Sequence, residues 1–277
     1  MAAADKDYLS IAKKRVHRPS ELQSHRCIFI YGRNKKGKTK LSLSAGRDIT
    51  MALDPEKGTD TMKSLDPFVW PITRWADLQE AYGALRTGKL SPNFFKQGES
   101  STPFSWVSVD GLTRMNNMAL RYVMNRQEER DLDRQPGFVQ RSDYGKSGEL
   151  MKQMLANFHS LPMNVVLTAQ ERMRENKAFG EAEEDDEETS DYLMVPDLPD
   201  SVKSAVNAIV EVIGRIYTAT VIPTKGPNAG KEITQRRLWI GIHDRYDTGY
   251  RSDFVLPNMI KNPTLPKLVA AMLEGDA

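Results

Sequence analysis

One cysteine, Cys27, among 277 residues leaves no intramolecular disulfide framework available. It stands inside an apolar run, where a lone thiol is most easily a small buried hydrophobe. The four histidines are scattered, so no zinc-ligand spacing appears. No apolar run approaches the roughly 18 residues of a membrane span. The first 24 residues are basic and polar and lack the apolar stretch of a secretory signal, so the expectation is a cytoplasmic protein with no membrane association. A net charge of +2 argues neither for nor against a polyanionic partner. The distribution is more informative. Lys13, Lys14, Arg15 and Arg18 are clustered, while residues 181–188 carry a dense acidic run.

What is present is the composition of a globular α/β chain, 39% hydrophobic and 27% charged, in a length that fits one large domain with appended pieces. Residues 27–31 are an apolar run ending at a glycine-rich loop, and 39–50 follow with helical spacing. The pattern is strand, loop, helix. Further strands are expected at 50–53, 69–72, 104–109 and 164–169, and helices at 75–85, 113–127, 146–158 and 201–212. Residues 128–144, highly charged and containing Pro136-Gly137, read as a loop. Residues 175–191 have almost no apolar content and are expected to be mobile. A strand at 215–222, a turn at 226–230 and a returning strand at 237–242 form a hairpin. The expected fold is a mostly parallel central sheet flanked by helices, with a C-terminal antiparallel hairpin extension. Its expected divisions are a basic extension at 1–24, a core at 25–260, and a tail or short helix at 261–277.

Gly32-Arg33-Asn34-Lys35-Lys36-Gly37-Lys38-Thr39 matches the Walker A pattern G-x-x-x-x-G-K-T in the strand-to-helix context that confirms it. Backbone N–H groups from Gly32 to Thr39, with Lys40 following, would wrap the phosphates of ATP. Lys38 would reach the β- and γ-phosphates, and the Thr39 hydroxyl would hold Mg2+. Asp110 ends a buried strand and fits a Walker B carboxylate for that ion, the other explanation being a plain Asp-Gly turn. Glu56 follows the strand after the loop helix and could polarise the attacking water, with Asp54 as competitor and a solvated turn as the alternative. Gln170 closes a strand where an amide could sense the γ-phosphate, or is simply a satisfied polar residue at a strand end.

In order along the chain, Glu56, Asp110 and Gln170 occupy the places of the catalytic glutamate, Walker B aspartate and sensing glutamine of the RecA-like ATPase core. Ile30-Tyr31-Gly32-Arg33, Asp110-Gly111-Leu112-Thr113, Asp143-Tyr144-Gly145-Lys146 and Val166-Leu167-Thr168-Ala169-Gln170-Glu171 resemble the short phage recombinases that consist of little more than this core. The resemblance implies an ATP hydrolase that binds single-stranded DNA and promotes annealing or strand exchange beside a single-strand-binding protein, in the host cytoplasm if the chain is of phage origin. It also implies homo-oligomers, rings or filaments, with ATP between subunits and arginine fingers at Arg245 and Arg251; surface ion pairs are the other reading of these two. Two DNA loops would contain Arg126, Arg130, Arg134, Phe138, Arg141 and Lys146 in the first, and Arg172 and Arg174 in the second, where the acidic run would repel phosphates. A solvated charged surface is the alternative for both loops. A helicase-like motor or loader on the same core, and a nucleotide-gated protein-binding regulator, are the rival functions.

Overall fold

The computed structural model describes residues 8–18, 25–95, 101–175 and 192–275. The apolar runs become strands β1 (Cys27–Gly32), β2 (Thr50–Asp54), β3 (Phe68–Pro71), β4 (Trp106–Asp110) and β5 (Asn164–Glu175). They are joined by helices α2 (Lys38–Ser42), α3 (Trp75–Leu85), α4 (Leu112–Glu128) and α5 (Arg141–His159). A helix α1 (Tyr8–Arg15) precedes them. After them come β6 (Tyr192–Pro196), α6 (Asp200–Ile209), β7 (Val212–Val221), β8 (Ile233–Trp239), β9 (Gly249–Tyr250), β10 (Met259–Lys261) and α7 (Leu265–Glu274). No helix among the described residues is long and apolar enough to cross a membrane.

β1, β2 and β4 are buried at every position, because helices cover both faces of a parallel sheet and no face is left for polar residues. Successive side chains of β1 point to opposite faces. Cys27, Phe29 and Tyr31 join a core with Leu78 of α3, Met115 of α4, Met151 of α5 and Val202 of α6, whereas Ile28 and Ile30 face Leu41 of α2 and Leu268 of α7. Burying one such side chain contributes about 1.5–3 kcal/mol. Truncating a fully buried ring such as Phe29 to alanine costs about 3–5 kcal/mol, because the cavity adds to the lost transfer energy. Burial also pushes the Cys27 thiol up to about 12, aided by Glu211, so it is an inert core group.

The strand order is β10-β8-β7-β1-β5-β4-β2-β3, with β6 added to β5 and β9 to β7. From β7 to β3 the neighbours pair in parallel, while β8 and β10 are antiparallel. The loop-bearing strand β1 therefore stands between β5 and β7, with β4 one strand further out. The fold is a mostly parallel sheet flanked by helices with the glycine-rich loop after β1, and β7 with β8 forms the expected antiparallel hairpin.

Local boundaries differ from the sequence pattern in several places. The helix after the glycine-rich loop stops at Ser42, and Gly46, at φ 140°, turns the chain toward β2. α5 begins at Arg141, inside the expected loop, because Asp143 at its third position accepts the Gln140 amide and fixes the start. β5 runs on to Glu175 and pairs with β6 from Glu171↔Pro196 to Glu175↔Tyr192, so Arg172 and Arg174 stand on a strand and not in a loop. The remainder of the expected mobile segment, 176–191, lies outside the described residues. At the C-terminus α7 is capped by the Thr264 hydroxyl and buries Leu265, Leu268 and Met272 against the sheet.

Candidate functional site

The parallel register brings the C-terminal ends of β1, β2, β4 and β5 to one edge, which is where ligands bind in open α/β sheets. Gly32 pairs with Gln170, Asp110 with Thr168, and Leu53 with Val109. A glycine is needed at position 32, since a Cβ there would run into the Ile216 carbonyl of β7. Lys35 and Gly37 take left-handed backbone, at φ 63° and 97°, and curl the loop back on itself. The first amides of α2 have no carbonyl four residues back to bond, so they are available to an anion. Lys38 folds over this concavity, donating to the carbonyls of Gly32 at 2.8 Å and Arg33 at 3.0 Å. Burial lowers its pKa, opposed by Asp110, Glu56 and Glu171.

Thr39 and Asp110 meet across the crevice: the Thr39 hydroxyl donates to Asp110 Oδ2 at 2.5 Å. The other carboxylate oxygen accepts from the Thr168 hydroxyl at 2.6 Å. Asp110 is buried, and desolvation raises its pKa despite these two donors. A Cβ on Gly58 would stand 3.3 Å from Thr39 Oγ1 and 3.4 Å from Asp110 Oδ2, so glycine keeps the space before both oxygens open. One hydroxyl and one carboxylate on an open space suit Mg2+, which shares its shell with water and substrate phosphates and needs no protein cage. Among the described residues no group of three or more His, Cys, Asp or Glu offers such a cage.

Asp54 and Glu56, the two candidate carboxylates after β2, have separate tasks. Asp54 is buried and accepts from the amides of Glu56 at 3.0 Å, Gly58 at 3.1 Å and Thr59 at 2.8 Å, and from the Thr59 hydroxyl at 2.5 Å. Those bonds hold Lys57 in left-handed backbone, φ 58°, and leave Asp54 no freedom for proton transfer. Glu56, projected by the same turn, points toward Gln170, whose Nε2 lies 3.4 Å from Glu56 Oε1. Partial burial, followed by the charge of Asp110, raises its pKa above the ordinary carboxylate range. Gly111, at φ 120°, makes room: a Cβ there would come within 2.9 Å of Glu56 Oε1. Gln170 is fixed through its backbone, its N–H donating to Thr113 Oγ1 at 3.1 Å, and that hydroxyl donates to the Asp197 carbonyl.

Several residues of this edge escaped the sequence reading. Thr168 is one. Glu171 is another, receiving Arg215 from β7 at 2.8 and 3.1 Å with Arg33 of the loop 3.5 Å away. Arg215 also lies over the Tyr246 ring at 4.3 Å. The third is Arg236 of β8, whose Nε would meet a Cβ on Gly37 at 2.6 Å. Their signal is pairing between strands far apart in sequence, which no local motif records.

The residues expected to serve as arginine fingers are separated. Arg245 is near the nucleotide edge, its carbonyl accepting from the Met194 amide on β6. Arg251 is at the opposite edge, its guanidinium on the Asn207 and Ala208 carbonyls at the end of α6 and its amide on the Glu211 carbonyl. It does not reach the phosphate loop of its own chain.

Of the residues expected to contact DNA, Arg126, Arg130, Phe138, Arg141 and Lys146 are exposed, with Arg126 5.8 Å from the Tyr122 ring centre and Lys146 donating to Gln127 at 2.7 Å. Arg134 requires a correction. Its guanidinium is buried against the carboxylate of Asp143 and also donates to the Phe138 carbonyl, so it pins the 129–140 loop to α5 and is not available to phosphates. A carboxylate nine residues downstream has captured it. Arg172 and Arg174 form exposed pairs with Asp197 and Asp200, which ordinary salt screens.

No curated protein matches the chain. Among solved structures it is similar to the flagellar accessory protein FlaH from Methanocaldococcus jannaschii, at 11% identity and a TM-score of 0.34, over 85% of this chain and 84% of that one. The family model described as AAA domain matches residues 24–252, more than half of the sequence and all of the crevice residues just described, and the chain belongs to this family of nucleotide-dependent domains.

Proposed function

We propose that this protein is a Mg2+-dependent ATP hydrolase that assembles on single-stranded DNA and promotes annealing or strand exchange. One observation carries the enzymatic part: Lys38, Thr39, Asp110, Glu56 and Gln170, drawn from four separate segments, converge on one crevice at the carboxyl edge. Loop amides from Gly32 to Lys40 hold the phosphates, and Lys38 exchanges its two carbonyl contacts for β- and γ-phosphate oxygens. Thr39 and Asp110 would hold the cation, which when bound would supply positive charge to offset that of the phosphates. Glu56 orients a water and takes its proton as the water oxygen attacks the γ-phosphorus and the β–γ bridging oxygen departs with ADP. Gln170, touching Glu56 and continuous with β5, carries the state of that crevice to Arg172 and Arg174.

The nucleic-acid part is supported by the exposed cations Arg126, Arg130, Arg141 and Lys146 and by Phe138, which is 62% exposed and free to stack on a base. In an oligomer with ATP between subunits, Arg245 is the better placed of the two finger candidates. The test is hydrolysis and annealing of complementary oligonucleotides by the same preparation. ATP turnover stimulated by single-stranded DNA, with accelerated annealing, supports the reading. Directional unwinding of a duplex would replace it with a motor, and no binding of an oligonucleotide at low salt would remove the DNA role altogether.

A further inference from the structure

α4 presents a face on which nothing has yet been placed. From Leu112 to Gln127 the helix has no carboxylate, and its exposed positions Arg114, Asn117, Arg121 and Asn125 recur every three or four residues, which puts them on one side. Among the described residues neither Arg114 nor Arg121 has an ion-pair partner. This face lines a groove of about 380 Å³, closed on its other side by Arg74 and Trp75 at the start of α3, with Tyr122 along it. Of the side chains that line it, none is acidic, although the Arg74 guanidinium is itself held by Asp77.

The groove is at the nucleotide edge. β3 pairs Pro71 with Asp54, so the chain leaves the sheet for α3 beside the turn that carries Glu56. A second cavity, of about 560 Å³, is lined by Glu56, Gln170, Thr113 and Asp197, and two residues belong to both cavities: Arg114 and Asn117. An occupant of the basic groove therefore touches side chains that wall the catalytic carboxylate.

We propose that the α3–α4 groove is a single-strand nucleic-acid site, in which Arg114 and Arg121 bind phosphates, Tyr122 stacks on a base and Asn117 and Asn125 meet base edges. It rests on the DNA reading above and extends it, because the loop residues named there do not line this groove. The chemistry selects the ligand. Unpaired guanidiniums recognise phosphates, aromatic faces recognise unstacked bases, and carboxamides offer donors and acceptors together. Arg114 and Arg121 are two helical turns apart, about 10 Å, along the groove. Occupancy would be felt at Glu56 through Arg114 and Asn117, which gives a direct route from strand binding to hydrolysis.

The test is anisotropy of fluorescein-labelled oligothymidylate with the full chain over a series of salt concentrations, using Arg121→Gln, Arg121→Lys and the double variant Arg114→Gln/Arg121→Gln. Unchanged melting temperatures certify the fold. Each arginine removed should weaken binding roughly 3–10-fold near 0.1 M salt and make the log–log salt slope shallower by about 0.7, the increment for one single-strand phosphate. Arg121→Lys should keep the slope. The double variant should also lose stimulation of hydrolysis at saturating oligonucleotide. Wild-type affinity and slope in the double variant would overturn the groove while leaving the DNA reading intact. Failure of the wild type to bind at low salt would overturn both. Loss of polyglutamate binding with oligothymidylate binding unchanged would overturn it in favour of an acidic peptide.

Discussion

The Thr39 hydroxyl donates to Asp110 across 2.5 Å, joining the first turn of α2 to the end of β4 over 71 residues of chain. This contact unites the two residues that would hold Mg2+, and it depends on β5 being interposed between β1 and β4 with its Thr168 supplying the second donor. From it and the rest of the fold several outcomes are expected.

Lys38→Ala should lower ATP turnover by about 100-fold or more, since it removes a charged donor folded over the phosphate loop. A turnover assay beside a circular dichroism melt checks this. Wild-type turnover in a folded variant would remove the loop from the mechanism.

Glu56→Gln should retain nucleotide affinity and lower kcat by about 10²–10⁴-fold, the range for a lost general base. Because burial and Asp110 raise the Glu56 pKa, the carboxylate becomes protonated, and activity is lost, at a higher pH than an ordinary glutamate would give. The acidic limb of the kcat profile should shift accordingly and vanish in Glu56→Gln. Asp54→Ala should behave differently. Losing four hydrogen bonds, two of them fully buried, it should cost about 2–4 kcal/mol in a denaturant titration.

Asp110→Asn should abolish Mg2+ dependence yet melt no lower than the wild type in the absence of nucleotide. The folded-state pKa of Asp110 is raised, so its contribution to stability is full below the unfolded value and is lost as pH rises through the folded one. Above that raised value the ionised carboxylate is therefore a cost that asparagine removes. The difference in melting temperature should shrink as the pH falls through that raised value to the unfolded one, and a large loss of stability in the variant above the raised value would contradict this.

Arg134→Ala should lower the melting temperature well below that of Arg141→Ala, because it leaves Asp143 buried without its partner. Arg141, exposed at the start of α5, should instead affect oligonucleotide affinity and its salt dependence alone. Equal melting temperatures for the two variants would return Arg134 to the surface.

The phosphate loop was legible in the sequence because its chemistry is local. Eight consecutive residues between an apolar strand and a helix supply the glycines, the lysine and the hydroxyl. The buried strands were legible for a related reason: parallel strands covered on both faces leave continuous apolar runs, and β1, β2 and β4 each end near a residue of the site. The order of Glu56, Asp110 and Gln170 carried the fold class, since a fixed strand topology leaves its functional residues in a fixed succession.

Tertiary structure decided what depends on partners distant in the chain. Asp54 and Glu56 are equivalent carboxylates in sequence, and only the turn they form assigns one to hold the backbone and the other to face Gln170, 114 residues away. Arg134 is one more basic residue in a charged loop until Asp143, brought under it by the start of α5, removes it from solvent. Glu171 with Arg215, and the groove shared by α3 and α4, exist because strand register and helix packing set side chains of separate segments within a few ångströms. Residue identity sets what each group can do; burial and the neighbours supplied by the fold set which of those things it does.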